Sequence, residues 1–190
     1  EALLLVVLVI FVFLQSWRAT LIPLLAVPVS LIGTFIAFIA LDFSINTLTL
    51  FAMVLAIGLV VDDAIVVVER VLFVTERDGT DAREGTGRAM KDVSGPMLAT
   101  TLIFLAIFLP VAFMSGITGE IYRQFAVTIS VSVCFSTLVA FTLSPAMCAH
   151  MLTRNVGMKK RGPLAWFNRA VSAATRGYVR GAIWIARRTV

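Results

Sequence analysis

The chain has 190 residues, of which 59% are hydrophobic and only 14% charged. Soluble domains carry about 25% charged residues, so with a mean hydropathy of +0.98 a water-soluble globule is excluded and an integral membrane protein is indicated. The net charge of +5 would allow a nucleic-acid partner, but the placement of the cations argues against one.

In chain order, the first apolar run, Ala2 to Leu14, is too short to cross about 30 Å of hydrocarbon. Residue 1 is Glu, and no basic region precedes the run as a signal peptide would require. The chain is therefore read as starting inside a helix (1–15) and as part of something larger. Spanning helices are predicted at 21–41, 45–74, 96–113 and 125–152. A helix satisfies its own backbone groups, which lipid cannot do. The predicted fold class is thus an all-α membrane bundle, one helix truncated and four complete.

The connections differ in character. Residues 75–95 are highly charged and read as a solvated loop, partly helical. Residues 114–124 hold one cation, Arg123. Residues 153–190 are basic, with Leu164, Phe167, Val171, Ala174, Tyr178 and Ala182 recurring at helical spacing, as in an amphipathic helix on a membrane surface. Of 16 Lys and Arg, 15 fall on one side of the predicted bundle and Arg123 on the other. The positive-inside rule makes the first side cytoplasmic, with 75–95 and 153–190 there and 114–124 periplasmic. The positive charge is then inner-leaflet asymmetry, and no nucleic-acid partner is expected; membrane lipid is.

The third segment contains the chemistry. Asp62 and Asp63 interrupt a run uncharged from Leu50 to Val61 and again from Ala64 to Val68. A carboxylate at mid-membrane costs about 2.5–3.5 kcal/mol on insertion scales. On a helical wheel Gly58 lies near Asp62, while Ala52 and Ala56 lie near Asp63. Small residues there would let a neighbouring helix approach and turn the acids inward. Adjacent carboxylates in low dielectric titrate as a coupled unit and can load and release a proton. Other readings are a helix N-cap, a structural ion pair, or a metal site. Almost four apolar turns precede the pair, which argues against a cap. No cation lies within the spans, and no nearby His, Cys or Glu completes a metal shell. Cys134 and Cys148 have no disulfide or metal spacing and read as buried packing thiols. The hydroxyls of the last span (Thr128, Ser130, Ser132, Ser136, Thr137, Thr142, Ser144) read mainly as self-satisfied packing groups. No cofactor, metal or nucleophilic centre is expected, and without a P-loop ATP is not the energy source.

Several stretches closely resemble the resistance-nodulation-division efflux pumps: Phe13 to Pro23 (FLQSWRATLIP), Ala26 to Val29, Phe43 to Thr49 (FSINTLT), Gly58 to Glu69 (GLVVDDAIVVVE) and Gly116 to Phe125 (GITGEIYRQF). The paired acid is similar to the hydrophobe/amphiphile, or multidrug, branch. The resemblance implies a proton-driven drug exporter of the bacterial inner membrane, a secondary transporter and not an enzyme. It implies that Asp62 and Asp63 act as a proton relay with a Lys and an Arg from a second helical half. It further implies large periplasmic domains, a homotrimer, a periplasmic adaptor and an outer-membrane channel. Arg70 departs from the usual Asn at its place, with little effect expected. The alternatives are a non-transporting remnant or membrane scaffold, and a family member exporting lipid or another envelope component.

Overall fold

A computed structural model describes residues 2–152 and 176–179, with side chains from residue 6 onward. Six helices follow one another: α1 (Ala2–Leu14), α2 (Trp17–Ala40), α3 (Thr47–Asp78), α4 (Ala82–Ala112), α5 (Gly116–Phe141) and α6 (Leu143–Met151). There is no strand among the described residues. Residues 176–179 are helical and belong to a separate unit, 157–190. The amphipathic pattern predicted for 153–190 otherwise lies outside the described residues.

Local chemistry sets the helix ends. Asn46 caps α3: its Oδ1 accepts from the N–H groups of Leu48 and Thr49, both at 2.9 Å. Thr49 reciprocates, its Oγ1 accepting from the Asn46 N–H at 2.9 Å, and the capping box is complete. At the other end Gly79 takes φ 63°, the left-handed conformation that glycine adopts without a Cβ penalty, and its N–H bonds to the Thr75 carbonyl. The predicted last span is two helices. Pro145 lacks an N–H, and its ring crowds the carbonyl four residues back at Phe141, so α5 ends there and Pro145 sits in the first turn of α6.

The charged stretch 75–95 is helical for most of its length. α3 runs on to Asp78, α4 starts at Ala82, and only residues 79–81 turn between them. With 32 residues α3 is about 48 Å long, well beyond the hydrocarbon thickness, so its charged end extends past the apolar zone. Ion pairs line this end: Arg77 and Arg88 both meet Asp78, at 2.7 and 3.2 Å, and Arg88 also meets Glu84 at 2.7 Å. Arg70 reaches from α3 to Asp92 on α4, with its guanidinium also over the Phe73 ring.

Short connections make α1 to α5 successive antiparallel neighbours, α6 continues the α5 stretch, and α3 and α5 form the centre, packing on each other and both on α2 and α4. Its Ala52 meets Ile129 and Val133 of α5, its Ala64 meets Ala26 of α2 and Val139 of α5, and Val67, Val68, Val71 and Val74 join α2, α4 and α6. Outward-facing Ile32, Ile36, Ile39, Val54, Leu102, Ile103 and Ile107 are exposed. Among the described residues four helical stretches are long and apolar enough to cross a membrane: Trp17–Ala40, Thr47–Asp78, Ala82–Ala112 and the α5–α6 stretch Gly116–Met151. Cys148 is buried, whereas Cys134 is exposed, so the expected burial of both thiols holds only for the former.

Candidate functional site

Asp62 and Asp63 lie near the middle of α3, and the helix runs through them unbroken. They are therefore not an N-cap, a place that Asn46 holds 16 residues before Asp62. Consecutive residues on a helix differ by about 100°, and the two acids accordingly meet different surroundings. Asp62 is exposed on this chain; Asp63 is half-buried against α5. Ser136, a buried residue at 2% exposure, donates its hydroxyl to Asp63 Oδ2 at 2.5 Å.

Both carboxylates line a groove of about 200 Å³ between α3 and α4, floored by Val133 of α5. Pro96, Thr100, Thr101 and Phe104 of α4 form its far wall. Two buried hydroxyl pairs hold α5 at this height. Thr34 of α2 bonds Ser132 at 3.1 Å, and Thr101 of α4 bonds Thr137 at 2.7 Å. Among the described residues no Lys or Arg pairs with either acid; the four ion pairs all lie at the charged ends of α3 and α4. Nor does a third Asp, Glu, His or Cys join the pair there. The local chemistry is that of two carboxylates and a serine hydroxyl in a mostly apolar groove, with Thr100 and Thr101 on its far wall.

Of the three small residues expected to admit a neighbour, Ala52 and Ala56 are buried, at 0% and 1% exposure. Gly58 needs a correction. It is exposed, a Cβ there would meet nothing within 4 Å, and it borders an apolar groove against α1 and α2. Close approaches occur elsewhere, at Gly33 of α2, where a Cβ would press on the ring of Phe135 of α5, and at Gly85 of α4 against Thr75 of α3. Sequence reasoning missed them because a buried glycine and an exposed one look alike until the partner helix is placed. Ser136 was visible as one hydroxyl among seven. Its spacing gave no sign that it alone would reach an acid.

Helices of this length around an acidic pair define a multi-pass, all-helical membrane protein. The sequence profile of the AcrB/AcrD/AcrF family matches residues 1–190, and the chain belongs to that family. It is 47% identical, over 100% of its own length and 18% of the other's, to the toluene efflux pump membrane transporter TtgB of Pseudomonas putida. It is also 47% identical, over 94% of its length, to the multidrug export protein AcrF and the multidrug resistance protein MdtF of Escherichia coli, covering 18% and 17% of them. The chain thus spans less than a fifth of the length of these efflux transporters.

Proposed function

We propose that this chain carries the acidic half of the proton relay in an exporter driven by the proton-motive force. Asp62 and Asp63 alternate between ionised and protonated forms as protons cross from the periplasm to the cytoplasm of a bacterial inner membrane. A proton moved through 100 mV releases about 2.3 kcal/mol, enough to bias a conformational equilibrium by more than tenfold. The observation that carries this reading is the pair itself: adjacent carboxylates in mid-helix, one held by a buried serine, both lining one groove, with no cation beside them among the described residues. Their cationic partners come from the rest of the polypeptide, together with the periplasmic domains that capture substrate. Relatives named for toluene and multidrug export favour hydrophobic or amphiphilic substrates. Assembly as a homotrimer with a periplasmic adaptor and an outer-membrane channel belongs to the same reading.

The test is made in the full-length protein. Asp62→Asn and Asp63→Asn should each abolish dye efflux from energised cells while leaving the protein in the membrane at normal level. Efflux retained in either variant defeats the relay assignment.

A further inference from the structure

Around Ser136, four hydroxyls of α5 follow one habit and Ser136 departs from it. Thr128 donates to the Gln124 carbonyl at 2.6 Å, Ser130 to Ala126 at 2.8 Å, Ser132 to Thr128 at 2.8 Å and Thr137 to Val133 at 2.9 Å. Each uses the carbonyl four residues back, the ordinary recourse of Ser and Thr in an apolar helix. Ser136 has the same recourse in the carbonyl of Ser132, yet its hydroxyl donates to Asp63, 73 positions away in sequence. A hydroxyl has one proton to give, and here a carboxylate takes it in preference to the backbone. The helix around it is fixed: Ser132 is tied to Thr34 and Thr137 to Thr101. Rotation about one side-chain bond is the motion left to Ser136, and it leads back to the Ser132 carbonyl.

We infer that Ser136 is a two-position hydroxyl that positions Asp63 according to its protonation state, an inference that rests on the relay reading above. While Asp63 is ionised, Ser136 donates to it and holds the carboxylate against α5. When Asp63 takes up a proton, its oxygens become weaker acceptors, and Ser136 turns to the Ser132 carbonyl as its neighbours do. The protonated carboxyl is then free to swing into the groove toward Asp62. Ser136 keeps its own proton throughout. The arriving proton binds Asp63 and later leaves from it. Proton loading is thereby converted into loss of a contact between α3 and α5.

Infrared difference spectra of the full-length protein between acid and neutral pH test this directly. The Asp63 bands are those lost in Asp63→Asn. In Ser136→Ala the band of the ionised carboxylate should shift and the band of the protonated carboxyl should stay. Thr137→Ala, which removes a neighbouring buried hydroxyl, should move neither, and Ser136→Thr should leave both as in the parent. In proteoliposomes Ser136→Ala should lower maximal efflux by about tenfold, the rate equivalent of one lost charge-assisted hydrogen bond, with KM for the drug unchanged. Ser136→Thr should restore the rate. If Ser136→Ala gives no folded protein, Ser136→Cys keeps the shape with a weaker donor and is read the same way. An unshifted carboxylate band would overturn the inference, as would a shift of both bands, which would mean that the hydroxyl never leaves Asp63. A parental efflux rate in Ser136→Ala would overturn it too. Full efflux in Asp63→Asn would instead strike the relay reading, while the infrared bands still judge Ser136 independently.

Discussion

Gly33→Ala is the perturbation whose cost the structure sets most directly. Gly33 is buried in α2 where α5 crosses it. An added Cβ would lie 2.5 Å from Cδ1 and 2.8 Å from both Cε1 and Cγ of Phe135, distances below the 3.0 Å that such atoms keep. Cγ is bonded directly to Cβ, so spinning the ring about its own axis does not relieve the clash; either the whole Phe135 side chain swings away or α2 and α5 part. Overpacking of this kind costs about 1–3 kcal/mol. Parting the helices also lengthens the neighbouring Thr34–Ser132 hydroxyl bond, now 3.1 Å, worth about 1 kcal/mol. Replacing glycine by alanine inside a helix returns about 0.5–1 kcal/mol. The net expectation is a loss of about 1–3 kcal/mol. The assay is thermal unfolding of the purified full-length protein in detergent, where Gly33→Ala should melt several degrees below the parent. Gly87→Ala, whose Cβ would meet nothing within 4 Å, is the control and should melt at or slightly above the parent. Equal melting of Gly33→Ala and Gly87→Ala would refute the close α2–α5 crossing and with it the placement of Ser132 and Ser136.

Arg70→Asn should leave efflux unchanged and cost no more than about 1 kcal/mol, because the Arg70–Asp92 pair is 34% and 50% exposed. A double-mutant cycle with Asp92→Asn measures this, and a coupling well above that value would mean the pair is shielded in the assembled protein. Gly79→Ala forces a Cβ into the left-handed region at φ 63° and should lower stability by about 1–2 kcal/mol, read as a lower melting temperature. An unchanged midpoint would show that the α3–α4 turn relaxes to another conformation.

Most of the architecture was legible in the chain because lipid imposes a simple rule. A segment of about 20 apolar residues has few options other than to span as a helix. The acidic pair stood out for the same reason, since charge in an apolar run is costly and conspicuous. Hydropathy ends the third segment at 74 because the following turn is charged, whereas capping by Asn46 and Gly79 sets α3 at 47–78. The charged stretch 75–95 was less legible, because polar composition alone does not distinguish a loop from a helix that extends into water. Its i, i+4 pair Glu84–Arg88 was the available helical signal.

What composition and order determined by themselves was the class of the protein, an all-helical membrane chain with four long apolar segments, and the presence of two acids inside one of them, all consequences of local hydropathy. Which acid touches what was decided only by tertiary packing. The contact between Asp63 and Ser136 joins positions 73 apart, and the crossing at Gly33 and Phe135 needs α5 to be placed against α2. Periodicity assigns each helix its faces. It does not say which face meets which neighbour, and that choice turned Asp63 toward a buried serine and left Asp62 open to the groove.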